Sequence, residues 1–363
     1  MLKTREEIQG EGAPPSRAGI IDVDVHPVPR SADDIRQYMP MPFRDRYQGE
    51  RRSFFNNPVH GSRLDSVPPD GGPKGSDPDF MREQLIDQFG VAHAMLVSRT
   101  FCNIHPDPDY GAAIASAFNA WLVENWLDNN NDDGVFKGSI TIAQQDPAKA
   151  VEEIERWAGH PHIAQVTMDS GARMPFGQRY YHPIYEACQR HGLPLHIHPG
   201  TEGMGINHQP TPGYPTHYIE WHSLMSLAFQ AHLTSFLTEG VFERFPGLKV
   251  VMVEGGVAWL APLMWRLDSY WKALRSEVPW VRKPPSEYLA DHVRLGTQPL
   301  ERPDNDQHLL QLFEMMDAER VLMFSSDYPH WDFDSPTRAF PKMPEHVREA
   351  IFSGNARAFY GLD

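Results

Sequence analysis

The chain is poor in cysteine. Only Cys102 and Cys188 occur among 363 residues, which excludes a disulfide framework and leads to the expectation of a reducing, cytoplasmic setting. It is also short of positive charge: 33 lysines and arginines stand against 48 aspartates and glutamates, a net charge of −15 with histidine neutral. No block of basic residues interrupts that balance, so the footprint of a phosphate-backbone binder is missing and nucleic acid is not an expected partner. No run of about 18 apolar residues occurs, so no membrane span is expected. The amino terminus carries acids and lacks the apolar core of a secretory signal. Neither GxGxxG nor GxxxxGK[ST] follows the first strand-like segment, which weakens a dinucleotide-binding reading.

What is present is a core-forming composition, 40% hydrophobic and 11% aromatic, with 18 histidines and 33 prolines. Proline well above the usual ~5% indicates many loops, and histidine is the commonest metal ligand. Eight short β-rich runs alternate with helical patterns. The strands are expected at Ile20–Val25, 92–98, 135–142, 163–168, 193–198, 248–253, 292–297 and 321–326. Helices are expected at 78–89, 109–129, 147–158, 183–191, 218–239, 258–274 and 304–316. Asp146 before Pro147 is an N-cap signal, and Gly192 after His191 is a C-cap signal. Such alternation predicts an α/β fold, one distorted (β/α)8 TIM barrel, with an open doubly wound sheet as the competitor. Residues 1–19 are expected to form a flexible tail, and 20–363 the barrel. A Pro/Gly-rich insertion after the first strand, 40–77, is expected over the barrel mouth.

In such barrels the chemistry sits at the carboxyl ends of the strands. Here the first strand ends Asp22-Val-Asp24-Val-His26, the fifth ends His196-Ile-His198, the sixth runs into Glu254-Gly-Gly, and the eighth into Ser326-Asp327-Tyr-Pro-His330. Strand alternation predicts that Asp22, Asp24 and His26 face one side. Taken singly, each segment also reads as a turn or a core pair. Four acid- and imidazole-bearing strand ends on one face are another matter, because unpaired buried carboxylates are costly without a cation. His222 in YIEWHS is a further candidate ligand or a packed helix residue, with His217 as runner-up. His196 reads as a supporting or core residue, and Arg99, His105, His330 and Trp331 as pocket-lining. Trp121, Trp126, Trp265, Trp271 and the Met315-Met316 pair are expected in the core.

The D-x-H pair, the His-Pro at His198, the acid after the sixth strand, the SSDYPHWD segment and the closing GNARAFYGL together resemble the amidohydrolase superfamily. The nearest group is the amidohydrolase-related one that includes aminocarboxymuconate-semialdehyde decarboxylase. The resemblance spans about 20–360 and implies a divalent metal at the strand ends, with ligands at Asp24, His26, His198 and Asp327. The sequence departs from the decarboxylase pattern at Asp24, where the first histidine of H-x-H stands, and at Glu254, where a proton-transfer histidine stands. The fourth strand, IAQVTMDSG, lacks the bridging lysine of dinuclear hydrolases.

A carboxylate-rich nitrogen and oxygen donor set suits iron or manganese at least as well as zinc. The pattern with YIEWH is similar to a branch of the superfamily that uses two iron, or iron and manganese, ions. The first expectation is therefore a dinuclear monooxygenase hydroxylating an unactivated C–H bond of a small molecule with O2. Its ions would be held by Asp24, His26, His198, Glu254, Asp327 and His222. The alternative is a mononuclear zinc or manganese hydrolase or non-oxidative decarboxylase of a small carboxylate, with Asp327 and Glu254 moving protons. A silent barrel partnering an active paralogue is the third reading. The family resemblance is compatible with a homo-oligomer or with a hetero-oligomer of paralogues.

Overall fold

The computed structural model describes residues 19–49 and 61–362. The expected amino-terminal tail falls outside these residues save for Gly19, as does the 50–60 part of the insertion. Eight parallel strands follow one another around a single sheet: β1 (Ile20–Val25), β2 (Val91–Leu96), β3 (Phe136–Thr141), β4 (Ile163–Asp169), β5 (Leu195–His198), β6 (Val250–Met252), β7 (Val293–Gly296) and β8 (Leu322–Met323). The sheet closes where Val23 N donates to Phe324 O at 3.0 Å and His26 N donates to Tyr328 O at 2.8 Å. This is the expected α/β barrel. No helix among the described residues is long and apolar enough to cross a membrane.

The strands are buried on both faces because two apolar layers meet them. Ile20, Leu96, Phe136, Ile140, Val166, Leu195 and Ile197 pack outward into the large shell formed with the helices. Ile21, Val23, Met95, Val251, Val253 and Met323 pack inward, closed below by Phe359 of the last helix. On β5 the alternation turns Leu195 and Ile197 outward, leaving His196 and His198 for the barrel interior. The main helices are α1 (Pro108–Leu122), α2 (Pro147–Trp157), α3 (His182–His191), α4 (Tyr218–Ser223), α5 (Ser226–Thr238), α6 (Leu260–Leu274) and α7 (Asp306–Met315). The α2 start is capped by Asp146, whose Oδ1 accepts from Ala148 N and Lys149 N, and α3 stops at Gly192 with φ 67°.

Several expectations need correction. The helix expected over 218–239 is two, α4 and α5, and the one over 109–129 passes from α1 into a wider π-turn at Val123–Asp128. The final strand is far shorter than the expected 321–326. There Ser326 N donates to the Asp22 carboxylate instead of to a ladder carbonyl. Trp121 and Trp126 are in the core, but Trp265 and Met315 are exposed. The face of α6 that packs inward carries Leu260 and Met264, so Trp265, one residue on, turns away. Met316 likewise takes the core position that its neighbour cannot share.

The described part of the insertion lies against the ends of β1 and β8. Ser62 bridges to His330, Arg63 N donates to Pro329 O at 2.8 Å, and Val28 N donates to Gly75 O at 2.9 Å. Gly75 has φ 79°, and a Cβ there would lie 2.7 Å from the His26 carbonyl oxygen, so only glycine fits this close approach.

Candidate metal centre

At the carboxyl ends of β1, β5 and β8 the barrel brings together Asp24, His26, His198 and Asp327. One ligand-type atom from each lies within 4.8 Å of all the others, and all four residues are buried. A second group, Glu254, Asp327 and His330, meets the same criterion and shares Asp327. Glu254 and Asp327 hold left-handed backbone conformations, φ 59° and 60°. Carboxylate residues in that region are sterically disfavoured, and such strain persists where the surrounding structure over-determines it. The strain at Asp327 is held by Asp327 N donating to Asp24 O at 3.1 Å and His330 N donating to Asp327 O at 2.7 Å.

The cluster is poor in internal partners. Both Asp24 oxygens, Asp327 Oδ2 and His198 Nε2 are buried without a hydrogen bond. His198 Nε2 comes within 3.0 Å of Glu254 Oε2 and 3.6 Å of Asp24 Oδ2, yet without hydrogen-bond alignment. Acceptor atoms converging on one another unsatisfied are what a bound cation would relieve. The remaining ring nitrogens are satisfied, as ligand histidines require: His26 Nδ1 lies 3.0 Å from Val97 O and His198 Nδ1 lies 2.7 Å from Pro199 O.

Protonation follows the same crowding. Burial, then Asp327 and Asp22, push the Asp24 carboxyl well above its ordinary range. Burial, then Asp327 and Asp332, do the same to Glu254. Burial also raises Asp22, to about 7. Burial works to raise Asp327 too, but His330 and His26 outweigh it and hold that carboxyl below its usual value. Burial lowers His26 to about 4 and His198 well below its ordinary value, which favours the neutral imidazoles a metal needs, and His26 Nε2 lies 2.9 Å from Asp327 Oδ1 inside the cluster. Buried carboxyls whose charged form is disfavoured by burial and by one another make a cluster with room for positive charge. The nitrogen and oxygen donors fit a borderline or hard divalent ion.

The other candidate residues fall elsewhere. Asp22 does not join the ligand group: a register irregularity between Asp22 and Val25 breaks the expected alternation, and its Oδ1 accepts from Ser326 N and Asp24 N. His222 also stands outside both groups, its Nε2 3.1 Å from Asp332 Oδ2 and its ring 5.7 Å from that of Trp331. His217 instead caps α4 together with Glu220. His196 sits one layer down, its Nδ1 2.9 Å from Thr167 Oγ1. His330, read from sequence as pocket lining, lies 2.5 Å from Asp327 Oδ1 and stacks obliquely on His26. Its place three residues after Asp327 was the available signal. Asp169 at the end of β4 and Glu202 and Asp332 in the loops also approach the mouth, and nothing in the sequence pattern around them signals it.

Compared with known proteins, the amidohydrolase family profile matches residues 21–362. The chain belongs to the amidohydrolase family. Among curated members, the gamma-resorcylate decarboxylase of Rhodococcus jostii (strain RHA1) is 24% identical over 308 residues, covering 78% of this chain and 87% of that protein. Among solved structures, an amidohydrolase from Mycobacterium avium subsp. paratuberculosis K-10 superposes with a TM-score of 0.70 at 20% identity, over 95% of this chain and 100% of the other. The 5-carboxyvanillate decarboxylase of Novosphingobium aromaticivorans DSM 12444, complexed with manganese and 4-hydroxy-3-methoxy-5-nitrobenzoic acid, superposes with a TM-score of 0.67 at 20% identity, over 95% and 96%. These structures share the barrel. This amidohydrolase is thus an enzyme fold whose strand ends carry a cluster suited to a divalent metal.

Proposed function

We propose that this amidohydrolase is a metal-dependent, non-oxidative decarboxylase of a small, ring-bearing carboxylate. The observation that carries the reading is the four-residue group Asp24, His26, His198 and Asp327 around one point, with Glu254, whose carboxyl burial and neighbouring acids push well above its ordinary range, beside it. The similar decarboxylases, one of them solved with manganese, support it over the oxygenase alternative.

The four residues would hold one divalent ion, manganese or zinc, which when bound supplies Lewis-acid charge to the substrate's oxygens. Losing CO2 from a ring carbon requires a proton for that carbon, and the C–C bonding pair returns to the ring as CO2 departs. Glu254 is the residue to deliver the proton: buried, raised well above its ordinary pKa, and 3.0 Å from His198. Asp327 stays ionised beside His26 and His330, so it holds charge and does not donate. Water reloads Glu254 after product leaves.

Incubating the manganese-loaded enzyme with 2,6-dihydroxybenzoate and with 5-carboxyvanillate, in air and under nitrogen, tests the proposal. The expected result with at least one of them is one CO2 per substrate consumed at the same rate in both atmospheres. Uptake of O2 with the carboxylate retained, or no CO2 from either, counts against it.

One observation favours a second reading. The Glu254, Asp327 and His330 group shares Asp327 with the first, and a shared carboxylate can bridge two ions. Two iron or manganese ions so held would suit O2-dependent hydroxylation, with His330 taking the place expected for His222.

A further inference from the structure

At the opposite end of the barrel from the metal cluster, on the floor that Phe359 closes, nitrogen-bearing side chains gather around Gly134. Lys137 comes from the second position of β3, His162 from the residue before β4, and His93 from β2. Gly134 has φ 68°, and the position a Cβ would take there is a notch. His162 Nδ1 and Lys137 Nζ each lie 3.8 Å from that position, and His162 Cε1 lies 3.4 Å away. His93 interacts with the backbone of Gly134 and Val135. The Nδ1 atoms of His93 and His162 are both buried without a hydrogen-bond partner. Buried polar atoms without partners await a ligand or a water.

The notch collects positive charge in a chain whose net charge is −15. The charged groups facing His93 are Lys137 and Arg357, both cationic. Lys137 is half-buried and has no ion-pair partner among the described residues. His162 faces Lys137 and His160, and more weakly Asp128. The nearby carboxylates are committed elsewhere. Asp133, next to Gly134, accepts from both arms of Arg82 at 2.7 and 3.0 Å, and Asp128 lies 3.0 Å from His160 Nε2. Half-buried cations without a counter-charge repel one another, and a bound anion relieves that repulsion.

We propose that this notch on the barrel floor binds a small oxyanion, a phosphate either free or as the end group of a phosphomonoester. Lys137 supplies the fixed positive charge, and His162 and His93 each donate through Nδ1 once that atom carries a proton. The proton comes from solvent, so binding takes up protons and weakens as the pH rises past the imidazole range. Gly134 leaves the room, since any larger residue puts a Cβ into the notch. The site shares no residue with the metal cluster, and it stands whatever reaction that cluster performs.

The test is calorimetric binding of inorganic phosphate, methyl phosphate and sulfate to the metal-loaded protein. Saturable binding of about one equivalent per chain is expected, as one notch allows. Tighter binding of methyl phosphate would identify the ester as the source, and tighter binding of phosphate the free ion. Sulfate keeps its charge between about pH 6 and about pH 8, so its affinity should fall several-fold over that range as the imidazoles lose their protons. Lys137→Met should weaken all three probes about tenfold or more while metal content stays unchanged, and Lys137→Arg should retain them. Asp327→Asn, which disables the metal cluster, should leave oxyanion binding as it is. No saturable binding to the native protein overturns the proposal. Binding that survives in Lys137→Met, or that is lost in Asp327→Asn, overturns it as well, because the anion would then sit elsewhere.

Discussion

Half-buried Asp169 and buried Glu202 sit at the same mouth as Asp24 and Asp327, yet the barrel treats the two sets of carboxylates differently. Asp169 Oδ1 accepts from Thr201 N at 3.1 Å, Gly171 N at 3.0 Å and the Thr201 hydroxyl. Glu202 accepts from Gly200 N at 3.0 Å on one oxygen and from the Ser170 hydroxyl on the other. Asp24 has two oxygens with no donor and Asp327 has one, and Asp327 sits on a strained backbone. The first pair builds a loop: its donors tie the end of β4 to the turn after β5. The second set leaves lone pairs bare toward one point, an arrangement that stabilises nothing by itself and fits a cation.

The largest effect that sharpens this contrast is expected at the bare set. Asp24→Asn or Asp327→Asn should strip the bound metal, read by elemental analysis, and lower kcat/KM about ten-thousandfold, the worth of several kcal/mol of charge stabilisation. Asp169→Asn should keep the full metal complement. Next, Glu254→Gln should lower kcat about a hundredfold or more, the contribution of a positioned proton donor. In the native enzyme the rate should be greatest while Glu254 is protonated and fall as pH rises through its raised pKa. A rate that instead climbs over that range breaks the assignment of Glu254 as donor.

Smaller effects belong to the satisfied pair. Burial and the neighbouring Asp169 raise Glu202 from 4.5 to about 7. The folded state therefore holds this proton more tightly than the unfolded chain. Stability should be greatest at or below about pH 4.5 and decline by up to a few kcal/mol as pH rises to about 7. Glu202→Gln should flatten that part of the stability profile in denaturant titrations. The least effect is expected at Asp169→Asn, where the amide oxygen can keep the three accepted bonds. A loss of about 1 kcal/mol in thermal unfolding is expected, and a much larger one would mean that the Asp169 charge matters as more than an acceptor.

Some of this was legible from residues alone. The boundaries of β1, Asp146 capping α2 and Gly192 ending α3 follow local rules, and the structure keeps all three. The barrel followed from alternation of strands and helices, because each strand needs cover on both faces. That acids and histidines at four strand ends share one face followed from the barrel rule, while the choice of Asp24, His26, His198 and Asp327 among them came from the family resemblance. What stayed hidden depends on backbone turns that no pattern records. The left-handed conformations at Glu254 and Asp327 aim those carboxylates, the irregularity in β1 withdraws Asp22 from the group, and the split between α4 and α5 leaves His222 beside Asp332. Arg99 showed its position at a strand end, but its contact with His198 required the loop after β5 to be in place.

The central claim, that the bare carboxylates and imidazoles serve one divalent ion with Glu254 outside its ligand set, is tested most directly by metal stoichiometry. Native protein and Glu254→Gln, both reconstituted with manganese, iron and zinc available, would be compared by elemental analysis per chain. One equivalent in each is the predicted result. Two equivalents in the native protein and one in the variant would contradict it and place Glu254 among the ligands of a two-metal centre.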